Sequence, residues 1–144
     1  MIPKLREKPT VKALVIRTIK GEPHFLYLEK LQPRKFRTTQ PNKADIPGGA
    51  VEPGETRIQA VLREIVEETG LTVKHEKIIR EWRYERPEKG DVLIGTTHLC
   101  KHVSGEPHIR AEEADELEAP RWRKVTDTRG LPKWIVDDLK AAGY

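Results

Sequence analysis

The chain predicts an α/β fold, a mixed β-sheet with two main helices packed on it. Three observations carry that expectation. β-rich runs are bounded by turn residues, two other segments repeat their apolar residues at helical spacing, and the two kinds follow in the order β, β, loop, helix, β, β, β, helix. At 144 residues the chain fits one domain, expected to span residues 1–144 and to bury about two thirds of the surface its unfolded form exposes.

"TVKALVIRTI" (10–19) and "HFLYLEKL" (24–31) flank the turn signal "KGEP", so they are expected to pair as a hairpin. A basic stretch follows to Asn42. Then "ADIPGGAVEPGET" (44–56) places three glycines and two prolines in thirteen residues, the composition of a loop with tight turns. The first helix begins after Thr56, an N-cap whose partner Gln59 completes a capping box, and ends at Gly70, which enters the left-handed region at no steric cost. Ile58, Val61, Leu62, Ile65 and Thr69 form its expected buried stripe. "LTVKHEKIIREWRYER" (71–86) and "DVLIGTTHLCKHV" (91–103) read as strands around the turn "PEKG". "PRWRKV" (120–125) reads as a short strand, and "LPKWIVDDLKAAG" (131–143) as a second amphipathic helix with Trp134, Ile135 and Leu139 inward.

Charged residues make up 35% and hydrophobic residues 36% of the chain, yet the apolar positions are periodic and not diluted into a low-complexity tract. No apolar run approaches the roughly 20 residues that span a bilayer, and "MIPKLREKPT" lacks the apolar centre of a signal peptide. A cytoplasmic protein without a membrane partner is expected. Its single cysteine, Cys100, has no internal disulfide partner, which agrees with a reducing compartment, and its strand context predicts packing.

The net charge of +4 suits contact with phosphates, whether of nucleic acid or of a small nucleotide. Basic residues cluster at the N-terminus and in "KLQPRKFRTTQPNK" (30–43), acidic residues in the first helix and in "EEADELE" (112–118). That is a split surface and not a basic stripe. A small-molecule nucleotide is the favoured partner over nucleic acid, and the oligomeric state is not legible.

Glu64, Glu67 and Glu68 stand three and four positions apart on the first helix, where each like-charge pair destabilises an isolated helix by roughly 0.2 to 0.5 kcal/mol. At about 100° per residue they fall within an arc of roughly 100° on the side away from the apolar stripe, facing out of the core together. Carboxylate oxygens are hard donors that suit Mg²⁺ and Mn²⁺; a solvated helix face is the plainer alternative. Context favours the first reading. "PGGAVEPGE" just before the helix lets the backbone approach a ligand closely, and the helix N-terminus favours anions. Together these suit a pyrophosphate, whose oxygens divalent ions would screen while a water is activated for in-line attack.

From Gly49 to Leu71 the chain resembles the signature of the Nudix hydrolases, Gx5Ex7REUxEExGU with U aliphatic, at every specified position. The resemblance, closest to MutT-like members, implies an α/β/α sandwich over nearly the whole chain. It further implies metal-dependent hydrolysis of a nucleoside diphosphate linked to another group. Carried onto matching positions, Glu64, Glu67 and Glu68 are the implied ligands of Mg²⁺ or Mn²⁺, together with the carbonyl of Gly48. Glu67 or Glu64 is the implied general base, acting directly or through a water. Glu55 and Arg63 match the family's internal ion pair, which braces the loop, and Gly49 and Gly70 are the motif's fixed glycines.

Many family members use one further acidic residue from a late loop. Here Glu113 and Glu112 are ranked ahead of Glu116, since the "SGEP" before them resembles the approach to that glutamate in MutT-type members. For the substrate, Trp82 and Tyr84 alternate on one strand face between Arg80 and Arg86, an arrangement that can sandwich a nucleobase and equally suits cross-strand packing. Arg34, Lys35, Arg37 and Lys43 would meet outer phosphates. The length looks more like nucleoside triphosphate pyrophosphohydrolases or dinucleoside polyphosphate hydrolases. Pro87, sixteen residues past the box, stands where many ADP-ribose-cleaving members carry a proline, although "RPEKGDV" is a hairpin turn in its own right. A reading of another class is a nucleotide- or RNA-binding regulatory module on the same fold.

Overall fold

The computed structural model of the chain describes residues 4–32, 35, 43–108 and 117–144, the last stretch without the side chains of residues 117–119. Among the described residues seven strands form one sheet: β1 (Arg6–Ile19), β2 (Glu22–Lys30), β3 (Lys43–Asp45), β4 (Gly48–Ala50), β5 (Thr72–Arg86), β6 (Asp91–Ser104) and β7 (Leu117–Lys124). The main path runs β3-β2-β1-β6-β5, with β4 paired to β1 and β7 to β2. β1 and β6 are parallel and the other pairs antiparallel, so the sheet is mixed.

Helices α1 (Arg57–Thr69) and α2 (Lys133–Ala141) cover opposite faces. β1 shows why. Its Val11, Ala13 and Val15 pack with Ala60, Val61 and Ile65 of α1, while Leu14 and Ile16 pack with Ile135 and Leu139 of α2. A strand buried on both faces reads as a continuous apolar run, as "ALVI" does. The α/β/α layering therefore follows from the central strand.

The β1–β2 turn is tighter than the four residues "KGEP" suggest. Lys20 and Gly21 alone form it, both at positive φ (52° and 80°), with Ile19 opposite Glu22. That two-residue geometry matches the twist of the strands it joins. The expected loop of residues 44–56 also contains regular structure, since Ala44 and Asp45 belong to β3 and Gly48–Ala50 is β4. Their order comes from pairing with β2 and β1, which short-range periodicity does not encode.

Helix α1 has the predicted ends. The Thr56 hydroxyl accepts from the Gln59 N–H, the Gln59 side chain accepts from the Thr56 N–H, and Gly70 closes the helix at φ 74°. The buried stripe is Ala60, Val61, Ile65 and Thr69. Ile58, expected inward, is 45% exposed. The first turn lies against sheet backbone instead, where Arg57 donates to Thr10 O at 2.8 Å and Ile94 O at 3.0 Å. In α2, Ile135 and Leu139 are buried as expected, Trp134 is only half-buried, and the unexpected buried residue is Asp138.

Candidate active site

Arg63 organises the polar face of α1. Its Nε and one terminal nitrogen grip Glu55 in a fork at 2.8 and 2.9 Å, and the same terminal nitrogen donates to Ala50 O at 3.0 Å. The other donates to Glu64 at 2.9 Å and Glu67 at 3.2 Å. The bidentate pair holds the Glu55 pKa down at about 2, and Glu55 in return accepts from the Glu52 N–H at 3.0 Å. The loop is thereby tied to the helix.

The three glutamates divide. Glu64 and Glu68 tuck beneath β4, where a Cβ on Gly49 would fall 2.5 Å from Glu64 Oε1 and where the Gly48 N–H donates to Glu68 Oε2 at 3.3 Å. Glu67 stays 42% exposed and turns to Arg63. The expectation that all three face out of the core together is corrected by β4, which crosses that side of the helix and covers two of them. Burial raises the Glu64 pKa, and burial followed by the charge of Glu64 pushes Glu68 up to about 8, opposed by Lys12 and the Gly48 N–H. Among the described residues, no three acidic, histidine or cysteine side chains converge closely enough to hold a metal ion as they stand.

The opposite face of the sheet holds a cavity of about 430 Å³ lined by Lys12, Arg80, Trp82, Arg83, Tyr84, Leu93 and Trp134. The Trp82 ring lies over Gly95, where a Cβ would fall 2.2 Å from the indole, and its Nε1 donates to Thr97 Oγ1 at 3.1 Å. Arg80 Nε donates to Asp138 Oδ1 at 2.6 Å. Burial raises the Asp138 pKa against the pull of Arg80 and the Thr97 hydroxyl. Tyr84 is 60% exposed at the rim. Arg86, expected beside these residues, is instead paired in a fork with Asp91 at 2.7 and 2.6 Å, because both stand at the β5–β6 hairpin end.

Gly70 meets two demands, the left-handed cap and the His108 ring, which a Cβ would strike at 2.2 Å. Lys35 is exposed, whereas Arg34, Arg37, Glu112, Glu113 and Glu116 lie outside the described residues. Pro87 opens a single 3-10 turn, Pro87–Lys89, so the hairpin itself accounts for it. Cys100 is buried, its thiol pushed up to about 12 by burial. Sequence reasoning missed Lys12, Asp45, Trp134 and Asp138 as neighbours of the site. Asp138 alone left a signal, a carboxylate one position from Leu139 on the apolar side of α2.

The family model described as the NUDIX domain matches residues 8–141. The chain belongs to the Nudix family. Among its relatives, the 8-oxo-dGTP diphosphatase of Escherichia coli (strain K12) is 46% identical over 66 residues, which cover 46% of this chain and 50% of that protein. An RNA pyrophosphohydrolase of Acinetobacter baylyi is 34% identical over 98 residues, 59% of each chain. The chain thus spans between half and three fifths of the length of these Nudix relatives. The crystal structure of the MutT protein from Methanosarcina mazei Go1 superposes with a TM-score of 0.71 at 27% identity, covering 95% of this chain and 93% of that one. A C. elegans Ap4A hydrolase gives 0.74 at 21% identity, covering 95% and 99%, a likeness of fold. The Nudix segment Gly49–Leu71 accordingly occupies β4, the loop bound by Arg63, and α1. Among the described residues no helix is long and apolar enough to cross a membrane.

Proposed function

We propose that this Nudix chain hydrolyses a diphosphate linkage in a nucleoside diphosphate joined to another group, a (deoxy)nucleoside triphosphate or dinucleoside polyphosphate first of all. The observation that carries the reading is the carboxylate cluster of α1 under a glycine strand, with an aromatic, cation-lined cavity reached through Lys12. The donors fit a hard divalent ion: all are oxygens, and Gly49 leaves the space that Glu64 fills. Glu64, Glu67, Glu68 and the Gly48 carbonyl would hold Mg²⁺ or Mn²⁺, with Glu67 released from Arg63. When bound, such an ion supplies positive charge to the diphosphate oxygens and acidifies a water.

The chain's own residues do the rest. Glu67, more exposed than Glu64, takes a proton from the attacking water in this reading, with Glu64 as alternative and Glu113 or Glu112 as further acids. Arg63 and Glu55 fix the loop and orient the carboxylates. Trp82 and Tyr84 stack the base, and Arg34, Lys35 and Arg37 meet outer phosphates. We place the protein in the cytoplasm, as one domain over residues 1–144.

The test is a panel of nucleoside triphosphates, oxidised nucleotides, dinucleoside polyphosphates, ADP-ribose and sugar nucleotides, with Mg²⁺ and with Mn²⁺. Glu67→Gln and Glu68→Gln should each lower turnover of the best substrate by roughly 10²- to 10⁴-fold. Turnover within about a factor of two of the parent in both variants would sink the mechanism. The similarity to an RNA pyrophosphohydrolase favours a second reading, in which the diphosphate is carried by RNA. A binding affinity that falls steeply with salt would favour that reading.

A further inference from the structure

The carboxylate cluster and the aromatic cavity lie on opposite faces of the sheet, and one side chain lines the cavity while packing against the strand that bonds the cluster. Lys12 stands where one edge of β1 changes partner: Thr10–Lys12 pair with β4, and Ile16–Ile19 pair with β2. On the α2 side its Nζ lies 5.6 Å from the centroid of the Trp134 ring and lines the cavity. Its stem packs against Gly48, where a Cβ would fall 2.7 Å from Lys12 Cδ, and the Gly48 N–H is bound to Glu68.

The ammonium is held in place. Nζ donates to Asp45 Oδ1 at 2.7 Å and is directed at Ile46 O at 3.4 Å. Asp45 is itself fixed, accepting from the Ile46 N–H at 2.8 Å and pairing with Lys30 at 3.2 Å. One carboxylate thus receives two ammonium groups, so the seam keeps a positive charge. An ammonium has three donors, and the third of Lys12 has no acceptor among the described residues.

We propose that Lys12 grips the phosphate next to the nucleoside, joining the base cavity to the carboxylate cluster, with Asp45 as its positioning residue. This rests on the reading of the chain as a nucleotide hydrolase whose base lies in the α2-side cavity. A nucleoside without phosphate then gains nothing from Lys12, whereas a nucleoside polyphosphate depends on it.

The test measures binding by calorimetry, with α,β-methylene ATP and with adenosine as probes. Lys12→Met should weaken the analogue by about ten- to hundred-fold, and Lys12→Arg by less than about three-fold. Adenosine affinity should be the same in all three proteins. Because Lys12→Met leaves the buried Asp45 with Lys30 as its one ammonium partner among the described residues, the double variant with Asp45→Asn is measured beside it, and the same loss is expected there. Analogue affinity within about two-fold of the parent in both variants overturns the proposal. A parent that binds neither probe overturns it together with the base cavity. The readout is affinity, so a parent that binds the analogue but cleaves no nucleotide removes the hydrolase reading and leaves Lys12 judged on the same numbers.

Discussion

The two faces of the sheet hold their polar groups by different means. On the α1 face Arg63 finds its acceptors between Ala50 and Glu67, at the end of β4, in the loop after it and in one helix. Two of its anionic neighbours are open to water: Glu52, whose carboxylate lies 3.7 Å from the guanidinium, is 63% exposed, and Glu67 is 42% exposed. On the α2 face the side chain of Asp138 is fully buried, and its partner Arg80 lies 58 positions away in the chain. The first arrangement is adjustable at Glu67, which can leave Arg63 for a cation or for solvent at small cost. The second is fixed, since a buried carboxylate cannot lose its partner cheaply. The contrast suits a site in which chemistry requires carboxylates to regroup and recognition requires a preformed cavity.

The largest effect expected is on the fixed side. Arg80→Met leaves Asp138 buried and unpaired and should cost about 3 to 5 kcal/mol in urea unfolding. Arg63→Met, which frees acceptors that water can reach in part, should cost about 1 to 2 kcal/mol. The double variant Arg80→Met with Asp138→Leu should regain most of the first loss. A larger cost for Arg63→Met than for Arg80→Met would reverse the comparison.

Next in size is an exception on the adjustable side. His98 is fully buried beneath α1, contacting Thr96 Oγ1 at 2.8 Å and His75 at 2.7 Å, with Arg57 donating to Thr96. Burial first, then the charges of His75 and Arg57, hold its pKa down at about 4. The unfolded chain takes up this proton near pH 6.5. Between those values the unfolded state binds more protons, so the contribution is complete above pH 6.5 and lost as pH falls towards 4, at most about 3 kcal/mol. Glu68 slopes the other way, since a raised carboxyl pKa removes stability as pH rises towards 8. The difference between the parent and His98→Asn isolates the histidine, and a difference that stays constant from pH 4 to 6.5 contradicts the assignment.

What could be read from the residues follows the same division. The Thr56–Gln59 box and the Gly70 cap act within one helix, so spacing alone exposes them, whereas the Glu55–Arg63 pair is implied by the resemblance to the family signature. Strands β3 and β4 hide inside a glycine- and proline-rich stretch because their partners are elsewhere in the chain. Lys12 with Asp45, and Arg80 with Asp138, meet only once strand register and helix placement are set. Alternation puts Trp82 and Tyr84 on one face of β5, where the cavity lies, whereas Trp134, which helical spacing puts in the core, lines that cavity with them.

Two glycines give the finest comparison of the faces, because each is overlain by a side chain of the candidate site. A Cβ on Gly95 would fall 2.2 Å from the Trp82 indole, a rigid ring further held by its bond to Thr97. Gly95→Ala must displace that ring, at about 1 to 3 kcal/mol of stability, and nucleotide affinity should fall with it. A Cβ on Gly49 would fall 2.5 Å from Glu64 Oε1, the free end of a flexible side chain. The carboxylate can swing aside, so Gly49→Ala should change stability by less than about 0.5 kcal/mol. Turnover should nevertheless drop at least about ten-fold, because a small misplacement of a reacting group is expensive in rate. Melting and turnover measured on both variants separate the cases: rigid packing registers a methyl group in stability, and a movable carboxylate registers it in catalysis. Equal melting losses in the two variants would mean that the α1 cluster is as fixed as the cavity and has no freedom to regroup.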